Sequence, residues 1–162
     1  MSGDIGIHVT VDGISGAVDM LARIAGLPEH ELLDYLGRQI QQQTRDRIED
    51  EKTAPDGTAW KPNRAGTSIL YREGNLARSI DYTPSGHSVA VGSGLIYARI
   101  HQLGGVIKPK SASALRFMGH DGNEVFAKSV TMPARPYLGV SDDNREDIMD
   151  ATVDFIRRKA LQ

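Results

Sequence analysis

Apolar residues alternate with polar or glycine residues at Ile5, Ile7, Val9 and Val11, the two-residue period of a strand, which Asp12-Gly13 ends. The period then lengthens. Val18, Leu21, Ala22 and Ala25 recur at helical spacing, and Gly26 closes that short helix. A longer helix is expected from Pro28, with proline at its first position and Glu29 and Glu31 in the first turn, where the helix dipole favours carboxylates. Leu33, Leu36, Ile40, Thr44 and Ile48 give it one apolar stripe down to about Asp50, with Gln39 and Gln41 to Gln43 mainly on the solvent side.

Gly74–Arg78 reads as a helical turn feeding a strand through Ile80 and Tyr82. Thr83-Pro84-Ser85-Gly86 is the expected hairpin turn, and the chain returns over Ser88–Gly92. Leu115 and Phe117 mark a further strand and Val125–Val130 another, joined through the turn dipeptide Asp121-Gly122. Met132–Pro136 must run extended, because residues before proline avoid the helical region. Ser141 can cap a last helix that has Asp142 and Asp143 in its first turn and Arg157, Arg158 and Lys159 at its end. Its buried stripe is Ile148, Ala151 or Thr152, Phe155 and Ile156. The expected class is α+β: an N-terminal strand and helices, a mostly antiparallel sheet with hairpins, and a C-terminal helix.

The stretch Val89–Gly105 changes character most sharply. A strand through Val89 and Val91 breaks at Gly92-Ser93-Gly94, and an apolar helical turn follows through Leu95, Ile96, Ile100 and Leu103. Gly104-Gly105 stops it. Tyr97, Arg99, His101 and Gln102 are thereby mounted on a strand–turn–helix corner, with Tyr97, His101 and Gln102 expected to form an internal hydrogen-bonded cluster. A basic arm is expected to leave this corner from Val106, with Lys108, Lys110 and Arg116 as its cations.

At 162 residues the chain suits one domain, expected over residues 1–162 with flexible segments at 53–73 and 105–114. It has no cysteine, so disulfides, thiolate chemistry and cysteine-based zinc sites are excluded. No apolar run is long enough to span a membrane, and the N-terminus lacks the pattern of a signal peptide, so a soluble cytoplasmic protein is expected. The net charge of -2 hides an asymmetry: residues 1–56 hold 5 Lys/Arg against 11 Asp/Glu, whereas residues 57–130 hold 9 against 4. An acidic first third beside a basic middle suits either self-association or an anionic partner.

Candidate chemistry is sparse. His8, His30, His87, His101 and His120 have no partners at metal-binding helical spacing. Gly92-Ser93-Gly94 is only half a nucleophile elbow, and no phosphate-binding glycine motif occurs, so no catalytic, cofactor or metal residues are assigned. A small hydrolase using His101 would need a carboxylate beside it in a concave pocket. Trp60 is expected as a lid over the core, with a partner contact as its alternative. Arg135, fixed between Pro133 and Pro136, is expected to form a local salt bridge at the exit from the sheet.

Pro55-Asp-Gly-Thr-Ala-Trp-Lys-Pro62, Gly74-Asn-Leu-Ala-Arg-Ser-Ile80, Val89-Ala-Val-Gly-Ser93, Tyr97-Ala-Arg-Ile-His-Gln-Leu-Gly-Gly105 and Met132-Pro-Ala-Arg-Pro-Tyr-Leu-Gly139 occur in this order. Together they resemble the phage virion morphogenesis (tail completion, head–tail joining) family of Mu-like and P2-like tailed phages, across about residues 30–160. Tyr71-Arg-Glu-Gly74 departs from the pattern Leu-x-x-Thr-Gly common in that family. The resemblance implies a non-enzymatic structural protein of a phage or prophage, without cofactors, made in the bacterial host cytoplasm and placed at the neck or tail end of the virion. It further implies an oligomeric ring whose partners are other virion proteins: tail terminator, tail tube or head connector. Lys108, Lys110 and Arg116 would then face a neighbouring subunit or, non-specifically, the packaged DNA. The alternative is a nucleic-acid-binding module using the basic middle segment.

Overall fold

The computed structural model describes residues 26, 28–63, 66–119 and 121–160. The strand and short helix expected over residues 5–25 lie outside these. Gly26 has the positive φ (62°) expected of a helix-closing glycine.

The long helix, α1, spans Glu29–Asp46, one residue after Pro28, and continues as a single π-helical turn over Arg47–Glu51. Lys52 ends it in the left-handed conformation (φ 57°), its amide donating to the Arg47 carbonyl. A short helix α2 (Asn75–Arg78) leads into the hairpin β1 (Ile80–Ser85) and β2 (Ser88–Ser93). The turn of that hairpin is Gly86-His87, so Pro84 lies inside β1 rather than in the turn. Helix α3 (Ala98–Leu103) follows, then β3 (Gly105–Ile107), β4 (Leu115–Met118), β5 (Glu124–Ala127), β6 (Val130–Met132) and the last helix α4 (Asp142–Ala160). The class is α+β, with every ladder antiparallel: β1–β2, β3–β6 and β4–β5 are separate two-stranded sheets.

Two expectations are corrected here. Residues 125–130 are not one strand: the chain bends at Lys128-Ser129, because β5 pairs with β4 while β6 pairs with β3. The arm expected from Val106 begins as β3, its backbone engaged by Thr131 and Val130.

Helix α1 organises the body. On one side it packs on β1, where the Ile80 carbonyl accepts from both Gln41 (2.7 Å) and Arg45 (2.9 Å). On another it runs antiparallel to α4: Gln43 reaches the Asn144 carbonyl near one end, Tyr35 stacks on Phe155 at 5.7 Å, and Lys159 pairs with Glu31 at 2.6 Å near the other. Leu32, Ile40 and Ile48 of α1 are buried with Trp60, Leu76, Ile80, Val91, Tyr137, Leu138 and Ile148. Ser141 caps α4 by accepting from the Asn144 amide at 3.1 Å, as its sequence position predicts.

Gly37 permits the closest approach of helix and hairpin. A Cβ there would stand 2.7 Å from Cε2 and 2.8 Å from Cγ of Tyr82, whose hydroxyl donates to Asp34 at 2.8 Å. Alanine gains about 1 kcal/mol over glycine in an open helix, but displacing a seated ring typically costs about 1–3 kcal/mol. Gly37→Ala is therefore expected to lower the urea midpoint. Adding Tyr82→Ala should turn the same change from a loss into a gain, and the double-mutant cycle checks that sign reversal.

Candidate functional site

The residues from Pro133 to Gly139 cross the molecule without regular structure, yet Arg135, Tyr137 and Leu138 are buried. Buried backbone must find partners, and here most come from side chains far away in the chain. The Arg135 amide donates to the His101 carbonyl at 2.8 Å. Trp60 Nε1 donates to the Pro136 carbonyl at 3.0 Å. Gln102 Oε1 accepts from the amides of Tyr137 (2.9 Å) and Leu138 (3.0 Å), while its Nε2 donates back to the Leu138 carbonyl (3.2 Å). Arg47, 1% exposed, donates to the carbonyls of Tyr137 (3.1 Å) and Gly139 (2.9 Å) and to the Asn144 side chain. Burial pushes the Tyr137 phenol up to about 12, and its hydroxyl donates to the Ala98 carbonyl.

Helix α3 supplies Gln102 because its short turn is anchored at both ends. Ala98 and Gln102, one turn apart, are its buried positions. Gly104 ends it with φ 67° and sits so close to the exit segment that a Cβ would lie 2.6 Å from the Ala134 nitrogen. The apolar set expected from the sequence is split: Leu95 packs against the core and Ile100 is half-buried, whereas Ile96 is 93% exposed and Leu103 56%. The helix turns its polar glutamine inward because the irregular exit segment presents the unpaired backbone amides of Tyr137 and Leu138 there.

Beside this clamp lies an open groove of about 460 Å³, walled by Asn63, by residues between Thr67 and the start of α2, and by Tyr97, His101, Met132 and Arg135. Among the described residues Arg135 makes no salt bridge, contrary to expectation. Its Nε donates to the Lys61 carbonyl (2.9 Å) and Nη2 to the Pro62 carbonyl (3.3 Å), and burial lowers its pKa. Burial, and secondarily the Arg135 charge, lowers that of His101 as well. The buried Nδ1 of His101 has no hydrogen-bond partner among the described residues. Its ring meets Tyr97 edge-on at 5.9 Å. The expected hydrogen-bonded trio is thus corrected: Gln102 makes the bonds, and Tyr97 and His101 join through their rings. No carboxylate is among the groups that shift His101, so the arrangement keeps a neutral imidazole rather than an activated base. Among the described residues no three His, Asp or Glu side chains converge as a metal site.

The sequence profile of the Phage virion morphogenesis family matches residues 9–156. The chain belongs to this family. A relative named "Putative capsid assembly protein G", from Escherichia phage Mu, is 33% identical over 97 residues, covering 57% of this chain and 51% of that protein. The chain thus spans about half the length of the curated relative it matches. No solved structure gives a significant match. Membership of the virion morphogenesis family gives the chain a structural or assembly role in the phage particle.

Three of the motifs that carry the family resemblance meet in the clamp: Trp60, Gln102 and the Arg135–Gly139 exit. Lys108 and Lys110 stand apart from it on the exposed segment between β3 and β4, whereas Arg116 lies within β4, ion-paired with Glu124 across the hairpin. The three cations therefore do not form one arm. Arg47 and Asn144 escaped sequence reasoning. Arg47 had a signal, since it stands seven residues after Ile40 and three after Thr44 on the apolar stripe.

Two outcomes test the clamp. Gln102→Leu strands two buried amides, each worth about 1–3 kcal/mol, so chemical unfolding should show a loss of about 3 kcal/mol. His101 titrates in the sense opposite to a salt-bridged histidine. Its folded pKa lies below the ordinary 6.5, so the unfolded state takes up the proton first, and stability falls as pH drops below about 6.5. His101→Phe should remove that contribution, leaving a shallower loss of melting temperature between neutral and acid pH than in the wild type.

Proposed function

We propose that this chain is a non-enzymatic virion protein that completes the tail and joins it to the DNA-filled head, acting as a ring in the neck of a tailed phage. The family match over residues 9–156 carries this reading. The Mu relative, by its printed name a capsid assembly protein, agrees with a place in particle building. The geometry adds a physical reason. The polar groups that the motifs bring together are largely consumed in fixing the backbone, an arrangement suited to a stiff building block rather than to turnover.

A ring of identical subunits needs a heterologous contact, in which one patch of each copy meets a different patch of the next. The acidic first third and basic middle of the sequence offer complementary surfaces for it. The further partners are the tail terminator, tail tube or head connector, met on the faces of the ring. A DNA-facing role for Lys108 and Lys110 is the second reading, favoured by their exposure away from the clamp. DNA binding with a steep salt dependence by the purified protein would support it.

The test is a phage or prophage lacking this gene, viewed by electron microscopy after induction. Full heads and separate tails are expected, with joined infectious particles restored by the wild-type gene in trans. Joined, infectious particles without the protein would overturn the reading.

A further inference from the structure

Among the exposed apolar side chains of the described residues, two patches have complementary chemistry. The first is on the β4–β5 hairpin, a projection that makes its main contacts within itself. The register pairs Arg116 with Phe126 and Met118 with Glu124, which places these four side chains on one face. Phe126 and Met118 are each 64% exposed there. An isolated two-stranded hairpin is marginal in water, so this one needs a surface to lie on. Lys108 and Lys110, exposed on the segment that leads into β4, and Lys128, exposed just after β5, flank the hairpin in the chain and give it positive charge.

The second patch is the outer face of α4. That helix buries Ile148, Thr152 and Phe155 in its own body, and Met149 and Val153 look outward, 52% and 43% exposed. They are four residues apart, hence neighbours along the helix surface. Asp142, Glu146 and Asp150 fall on the same outer side at helical spacing and are exposed, while Arg157, the cation that follows Val153 by one turn, is paired with Asp154. This side therefore pairs an apolar centre with carboxylates, as the hairpin pairs an apolar centre with ammonium groups.

We infer that the hairpin face Phe126/Met118 of one copy docks on the outer face Met149/Val153 of α4 in a second copy of this chain. Lys108, Lys110 and Lys128 would then lie opposite Asp142, Glu146 and Asp150. This rests on the ring reading above and gives it an interface. The contact joins two different patches, so it leaves one hairpin and one helix face free at the ends of any open chain of subunits, as ring growth requires. Apolar contact sets how long the pair lasts, while the charges speed encounter and fix the orientation.

The test uses the full chain in sedimentation velocity, with circular dichroism to verify that each variant remains folded. The variants are Phe126→Glu with Met118→Glu on the hairpin, and Met149→Glu with Val153→Glu on α4. All four side chains are exposed, so the fold should persist. Each variant alone should associate roughly thirtyfold or more weakly than wild type, the scale of losing an interface hot spot. Mixing the two variants is decisive. Each retains one intact patch, so the mixture should form a one-to-one dimer and nothing larger.

Wild-type multimers with variants that assemble equally well would overturn the docking while leaving the ring standing. Variants that fail alone and also fail to pair when mixed would likewise exclude this hairpin-to-helix contact. A wild type that stays monomeric across concentration and salt would overturn ring and docking together.

Discussion

The fold depends on satisfying the backbone of one buried, irregular segment. Between Arg135 and Gly139 the chain has no strand partner, and three side chains stand in for one: Trp60 through Nε1, Gln102 through both ends of its amide, and Arg47 through a guanidinium that meets two carbonyls. Such bonds contribute about 1 kcal/mol each when made and cost more when a buried group is left alone. Their weight here is thus mainly in excluding other arrangements. A slip of the exit segment by one residue would strand several groups at once. The clamp ties the start of the π-turn, the Trp60 loop and α3 to one stretch of backbone, so these elements order together.

Arg47 shows how such a polar core differs from an apolar one. Its burial lowers its pKa, with only the partly exposed Glu51, at 3.5 Å, opposing that shift. Removing a charge of this kind leaves the carbonyls of Tyr137 and Gly139 without donors, whereas lysine could not reach both with a planar fork. The site tolerates the cation because carbonyl dipoles converge on it. The same logic holds for Arg135 against the carbonyls of Lys61 and Pro62. Arg47 joins the end of the long helix to the exit segment and Arg135 joins that segment to the Trp60 loop, a task for which apolar packing has no directional equivalent.

Periodicity made the regular elements legible. The stripe through Ile40, Thr44 and Ile48, the cap at Ser141, the Asp121-Gly122 turn and the hairpin after Ile80 each rest on interactions within a few residues, and sequence encodes these directly. The clamp is different. Its bonds link positions far apart in the chain, 35 residues between Gln102 and Tyr137 and 92 between Arg47 and Gly139, and no local pattern says that Gln102 will meet Leu138 or Arg47 will meet Gly139. The same blindness explains Ile96 and Leu103, which have helical spacing but face outward because a backbone segment claimed the other side of α3. It explains the divided strand at Lys128 too, since which partner a strand finds is a tertiary outcome. Family resemblance reached further than period did, because its motifs mark the residues of the clamp without explaining why they matter.

What the clamp leaves free is as informative as what it holds. Its hydrogen bonds lie within the body, and none involves β4 or β5, so the hairpin's surface residues can change without disturbing the bonds that fix the exit segment. The exposed residues of α4 are similarly separate from its buried Ile148–Phe155 stripe. An assembly protein benefits from that division. Contacts between copies must form only in the particle, which calls for modest apolar area edged by charge rather than a second large core. A body whose uniqueness comes from internal polar geometry can carry such patches as a folded subunit, because the backbone's own hydrogen-bonding demands are met before any partner arrives.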